Sequence, residues 1–175
     1  AFFGQFTSFR KICYVVDSSG SMHGRFGLVR DQLRESIQSL QPDQYFYIIF
    51  FQDGDRLVES GDGRMVRATP AARRRALDFI ERVRPSGPTN AVAALRRAME
   101  VVDSFGNPPE QVYFLTDGFD LETADAGFAS GIEQQRRQRA PRTRINTIGF
   151  GTQATDVEIL EAVAAESGGE FTNVE

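Results

Sequence analysis

An apolar run, Ile12 to Val16, is cut short by a carboxylate, Asp17, and then by Ser18-Ser19-Gly20-Ser21-Met22. A run that is apolar at every position, not at alternate ones, reads as a strand buried on both faces. A chain with such a strand must lay other elements above and below it, which points to the middle of a mainly parallel sheet. The residues after the run put hard oxygen donors on a tight loop at the carboxyl end of the strand. In open α/β sheets that is the end where ligands bind. Taken alone the stretch is equally a plain turn, because turns favour Asp, Ser and Gly for local hydrogen-bonding reasons.

Two further stretches add to it. Ser86-Gly87-Pro88-Thr89-Asn90 sets a threonine hydroxyl on a Gly/Pro loop just ahead of a helical run, and Val112 to Thr116 is another apolar strand, followed by Asp117-Gly118. Three loops thus offer the oxygens of Asp17, Ser19, Ser21, Thr89 and Asp117. Oxygen donors of this kind suit hard cations such as Mg²⁺.

With these three stretches in this order, the sequence resembles a von Willebrand factor type A (vWA) domain over about Arg10 to Val174, with the family's metal-ion-dependent adhesion site (MIDAS) filled at all five positions. The opening Val15-Val16-Asp17-Ser18-Ser19-Gly20-Ser21-Met22 is similar to the free-standing bacterial versions. The resemblance implies a three-layer, doubly wound (Rossmann-like) α/β fold with one antiparallel edge strand and helices on both faces. It also implies one bound Mg²⁺, or Mn²⁺ or Ca²⁺ in its place. Ser19 and Ser21 would coordinate directly, Asp17 and Asp117 directly or through water, and Thr89 according to the state of the site. An open coordination place would then accept an Asp or Glu of a protein partner. The alternatives are a structural metal without ligand capture, and a metal-dependent hydrolase.

The rest of the chain fits one vWA domain over residues 1–175, with residues 1–9 as an aromatic N-terminal extension. Helices are expected at Arg25–Leu40, carried by Leu28, Leu33, Ile37 and Leu40, at Pro70–Val83, at Ala91–Val102 with Thr89 or Asn90 as cap, at Ala124–Arg139 and at Asp156–Ser167. Strands are expected at Tyr45–Phe51, at Arg56–Ser60 as an antiparallel partner across an Asp53-Gly54 turn, at Gln111–Thr116, Arg144–Phe150 and Glu170–Val174. The family usually adds a helix after its last strand, whereas this sequence stops at Glu175. Phe2, Phe3, Phe6 and Phe9 are too apolar for a free tail and are expected to cover the sheet face that such a helix would take.

Composition narrows the functions. A net charge of −4 offers no electrostatic footprint for nucleic acid. The arginines at 73–75 and 136–137 read as solvated helix faces, and the single cysteine, Cys13, as a buried small hydrophobe. No apolar run is long enough to span a membrane, and the chain reads as a monomeric excised domain or mature fragment whose localisation is not legible. Catalysis is not expected. There is no glycine-rich phosphate loop ending in Lys-Ser/Thr, no second Asp after Asp17 at aspartyl-phosphate spacing, and Lys11 stands at the wrong end of its strand. His23, the only histidine, is read as an exposed loop residue. With Arg25 it is the candidate to touch a partner's carboxylate, while Asp120, Glu122 and Asp125 read as a polar loop and a first helical turn.

Overall fold

The computed structural model describes residues 2, 10–52, 56–87, 91–118 and 127–174. Among these residues seven strands form one sheet: β1 (Lys11–Asp17), β2 (Tyr45–Gln52), β3 (Arg56–Glu59), β4 (Val66–Arg67), β5 (Gln111–Thr116), β6 (Arg144–Phe150) and β7 (Phe171–Val174). The order is β3-β2-β1-β5-β6-β7, with β4 also on β2. Pairings among β2, β1, β5, β6 and β7 are parallel, and β3 and β4 pair antiparallel with the two ends of β2. The expected antiparallel edge is therefore present, and β4 is an addition. Two residues are too few for a periodic signal in the sequence.

Among the described residues five α-helices cover the sheet: α1 (Phe26–Ser39), α2 (Pro70–Arg82), α3 (Ala91–Ala98), α4 (Gly127–Arg139) and α5 (Ala154–Ser167). Side chains alternate across β1. Ile12, Tyr14 and Val16 join a core built with Val29, Leu33 and Ile37 of α1 and Ile80 of α2. Cys13 and Val15 face the other core, with Leu95 of α3, Ile132 of α4 and Leu160 of α5. Both layers are apolar because the strand has no face left for water. Cys13 is fully buried, and burial raises its thiol pKa well above the usual range.

Local chemistry sets the helix ends. Thr69 caps α2, its hydroxyl accepting from Ala72 N–H at 3.2 Å, and Pro70 opens the helix where a missing N–H costs nothing. Gly168 ends α5 in the left-handed region at φ 78°. Gly169 is required by close approach, since a Cβ there would stand 2.0 Å from the Ile145 carbonyl oxygen.

Three expectations need correction. Leu28 is 47% exposed, and Val29 takes the core position, because it shares a face with Leu33 and Ile37 whereas Leu28 lies about 140° round the helix from Leu33. The helix after Thr89 ends at Ala98, not Val102. Val102 is drawn off to pair with the 63–65 segment, accepting from Met65 N–H at 2.8 Å and donating to Gly63 O at 3.1 Å. Arg136 is not on a solvated face. It is buried, holds Glu133 through two nitrogens at 2.7 and 2.8 Å, and reaches the Pro141 carbonyl at 2.6 Å. The Asp53-Gly54 turn, Ala124 to Ala126, and Phe3, Phe6 and Phe9 lie outside the described residues.

Phe2 is fully buried on the α1/α2 face of the sheet. Its ring meets Tyr14 edge-on (centroids 5.4 Å, 87°) and Tyr113 likewise (5.6 Å, 77°), while the two tyrosines stack on each other at 5.7 Å. Edge-to-face geometry is the favoured arrangement of aromatic quadrupoles. Val174, in the last strand, packs against the same core. Phe2, the one described residue of the four phenylalanines before β1, thus covers the β1/β5 part of the face. Truncating Phe2→Ala is expected to cost about 3 kcal/mol, read as a lower urea midpoint at unchanged slope; Leu28→Ala should shift it little.

Candidate metal centre

Asp17 is the last residue of β1, opposite Phe51 of β2, and Val16 stands opposite Leu115 of β5. β5 ends at Thr116, and Asp117 follows. Because β1 and β5 are parallel neighbours in register, both carboxylates leave the same edge of the sheet. The strand order also reverses here, since the chain runs from β1 to β2 on one side while β5 lies on the other. Such a reversal opens a crevice at the strand ends.

The first loop sorts its three serines. Ser18 turns back onto β2, its hydroxyl donating to Phe51 O at 3.2 Å and Gln52 Oε1 at 3.1 Å. Ser19 and Ser21 are left facing each other, with their hydroxyl oxygens 3.0 Å apart. Between and after them, Gly20–Met22 forms a 3₁₀ turn anchored by the buried Met22. Asp17 is aimed from both sides. Its Oδ1 accepts from Ser19 N–H at 2.8 Å, and the Thr116 hydroxyl lies 2.9 Å from its Oδ2. That hydroxyl also accepts from Gly118 N–H at 3.1 Å, which ties the Asp117 turn to Asp17.

The second loop is stitched to the first by backbone. Gly20 N–H donates to Gly87 O, and Ser86 N–H donates to Ser18 O, each at 2.9 Å. Thr89 lies outside the described residues, as do Asp120, Glu122 and Asp125. The structure therefore brings Asp17, Ser19, Ser21 and Asp117 together and carries the Ser86-Gly87 end of the second loop to their side.

Three residues around the site were not singled out as site residues by the sequence reading. Thr116 orients Asp17, and its only sequence signal was a hydroxyl closing an apolar strand. Asp156, buried in the first turn of α5, lies against the Asp117-Gly118 turn: Gly118 has φ 135°, and a Cβ there would stand 2.7 Å from Asp156 Oδ2. An acid in the first turn of a helix after a strand exit was the available signal. Gln52 holds Ser18 away from the other hydroxyls. His23 is exposed, as expected. Arg25 is engaged within the chain, its Nη1 donating to Phe150 O at 2.9 Å with the guanidinium 5.4 Å over the Phe150 ring. At the other end of the sheet Lys11 pairs with the buried Asp103 at 2.8 Å.

The site's electrostatics are unfavourable as they stand. Burial pushes the Asp17 carboxyl pKa up to about 7, and the neighbouring Asp117 charge adds to this against the hydrogen bonds from Ser19 and Thr116. No cluster of three or more His, Cys, Asp or Glu occurs among the described residues, so a cation here would rest on hydroxyls and carboxylates, a donor set for hard ions. Folded Asp17 keeps a proton that the unfolded chain releases near 3.8. Its contribution is therefore most favourable below that value and declines as pH rises to about 7. In chelator, Asp17→Asn is expected to gain stability relative to the parent across that window, measured by urea unfolding at pH 4.5, 6 and 8.

The fold and this corner have recognisable relatives. A family profile described as von Willebrand factor type A domain matches residues 10–172. Inter-alpha-trypsin inhibitor heavy chain H1 of Mesocricetus auratus is 28% identical over 170 residues, covering 91% of this chain. The chain spans only 18% of that relative's length. Among solved structures, the von Willebrand factor type A protein from Catenulispora acidiphila superposes with TM-score 0.77 at 19% identity, over 94% of this chain and 38% of that one. The manganese-loaded TRAP protein of Plasmodium vivax superposes with TM-score 0.64 at 20% identity, over 89% of this chain and 63% of that one. The chain belongs to the von Willebrand factor type A domain family, which commonly mediates protein–protein interactions.

Proposed function

We propose that this domain is a divalent-cation-dependent protein-interaction module in which a metal held by Asp17, Ser19, Ser21, Asp117 and Thr89 takes an acidic residue of a protein partner. The observation that carries the reading is the 3.0 Å spacing of the Ser19 and Ser21 hydroxyl oxygens beside Asp17. Adjacent oxygens of an octahedron with bonds of about 2.1 Å, the Mg²⁺ value, lie about 3.0 Å apart, whereas Ca²⁺ bonds of about 2.4 Å would spread them to about 3.4 Å. That spacing fits Mg²⁺ or Mn²⁺, and it is also the length of the hydrogen bond that the two hydroxyls make with each other. The raised pKa of Asp17 supports a divalent cation of any of these kinds, because the ion would stabilise the charge that burial opposes. The manganese in the Plasmodium TRAP structure is consistent with this choice, though it belongs to that protein.

The chemistry such an ion supplies is attraction for a hard anionic oxygen. This chain's part is to hold the donors still. Ser19 N–H and Thr116 fix the Asp17 carboxylate, and the backbone bonds of Ser18 and Gly20 hold the second loop alongside. With two aspartates against a divalent charge the centre is near neutral, so an incoming Asp or Glu is not repelled. The reading assigns the ion to ligand capture, not to reaction. It is supported by the serine hydroxyls contacting each other, with no imidazole in hydrogen-bond contact with either to activate it.

Mg²⁺ at a hundredfold excess over its dissociation constant is expected to stabilise the domain by about 2.7 kcal/mol, more strongly at pH 8 than at pH 5.5 because the ion competes with the proton on Asp17. Asp117→Ala should weaken Mn²⁺ binding at least about tenfold, read by calorimetry. The open place is tested by water-proton relaxation of bound Mn²⁺, which an acetyl-aspartate amide should lower by displacing water. Binding of Mn²⁺ with relaxation unmoved by the acid would favour a structural metal, and absence of Mn²⁺ binding would refute the reading.

A further inference from the structure

Beside the first loop lies a cavity of about 400 Å³, within the size range of small-ligand sites, that the metal reading does not use. Its apolar wall is Val58 of β3, Phe79 of α2 and Val83. Three guanidinium groups, Arg56, Arg82 and Arg84, line it, and no carboxylate does among the described residues. Gln52 and Ser86 complete the lining on the side of the metal loop. Both are already bonded to Ser18, Gln52 through Oε1 and Ser86 through its N–H. The cavity is thus joined to the residue between Asp17 and Ser19.

Among the described residues, Arg82 and Arg84 are not spent on ion pairs. Arg82 makes no hydrogen bond or ion pair among the described residues. Among the described residues Arg84 reaches the carbonyls of Glu81 and Val83, through Nη1. Of the two acids on α2, Glu81 is taken by Arg34 in an ion pair, and Asp78 stands one turn before Arg82. Behind the wall, Arg30 donates to the carbonyls of Ile80 and Val83. Its pKa is lowered by burial first and then by the charges of Arg84 and Arg34.

We propose that this cavity is a second anchoring point for the same acidic partner segment, taking a glutamate or aspartate side chain whose carboxylate meets Arg82 and Arg84 and whose methylenes lie on Phe79 and Val83. The proposal rests on the metal reading for the first anchor and adds to it the charge pattern of the partner: two acids a few residues apart in an extended stretch. Extended chain covers about 3.4 Å per residue, so two acids three residues apart place their side chains about 10 Å apart along the partner. Planar guanidinium groups suit a carboxylate because they can donate to it in parallel pairs. Joining two weak contacts in one segment makes the second contact intramolecular.

The test separates the two anchors. In chelator, with the metal centre inactive, acetyl-glutamate amide is titrated against ¹⁵N- and methyl-labelled domain. Saturable shifts are expected at Val58, Val83, Arg84 and Ser86, with none from acetyl-glutamine amide. The paired substitution Arg82→Gln/Arg84→Gln should raise the dissociation constant about fivefold or more, while Mn²⁺ affinity stays at the parent value. In Mn²⁺, acetyl-Asp-Gly-Gly-Glu-amide should bind about tenfold tighter than its Asp-Gly-Gly-Gln counterpart, and the arginine substitutions should erase that gain. Absence of saturable shifts in chelator, or shifts unmoved by the arginine substitutions, would overturn the cavity. Equal binding of the two peptides in Mn²⁺ would overturn the pairing. Failure of the metal reading shows separately, as absence of Mn²⁺ binding with the chelator titration intact, and would also overturn the pairing.

Discussion

The lateral pairing of β1 between β2 and β5 is the constraint on which the rest depends. Its register puts Asp17 at the sheet edge opposite Phe51 and one residue beyond the Val16–Leu115 pair. Slip β1 by one residue, and Tyr14 and Val15 exchange cores, because strand side chains alternate. The same slip would carry Asp17 away from Thr116 and from the Ser18–Phe51 bonds that sort the serines. Core burial and site geometry are therefore one specification. The aromatic and β-branched residues that lock the strand in place also aim the carboxylate.

The polar corner is built at some cost to stability. A carboxylate fully buried beside a second one raises its own pKa, and the fold retains it by aiming a backbone N–H and a threonine hydroxyl at it. Such an arrangement is a common mark of function, where local stability is given up for a prepared site. The sheet elsewhere offsets this with dense aromatic packing. Phe2 closes over Tyr14 and Tyr113 at the centre of one face, and Phe51 stacks on Phe114 on the other. The acid–base pairs away from the site, Lys11–Asp103 and Arg136–Glu133, are satisfied within the chain and bear on folding, not on binding.

Legibility differed by residue for physical reasons. Strand positions were readable because runs such as Tyr45 to Phe51 have one meaning when buried on both faces, and β5 and β6 fall where the sequence put them. Helix faces were less so. Leu28 and Val29 are equally apolar, and only packing against β1 and β2 chose Val29 for the core. Arg136 was misread for a related reason. A long cation looks the same in sequence whether it meets water or, as here, Glu133 and the Pro141 carbonyl. The cavity arginines, drawn from β3, α2 and the turn after it, carried no motif at all.

The sequence by itself determined that an apolar strand ends in Asp17-Ser18-Ser19-Gly20-Ser21, that another ends at Asp117, and that helices must cover both faces of the sheet between them. Those are statements about local pattern and about burial, which composition and spacing carry. Only the tertiary structure decided that Ser18 turns away while Ser19 and Ser21 meet at 3.0 Å, that Thr116 and Asp156 belong to the surroundings of the site, and that three arginines from separate elements line one cavity beside it. The reason is distance along the chain. Thr116 reaches Asp17 across a separation of 99 residues, and a contact of that range leaves no periodicity for a sequence to show.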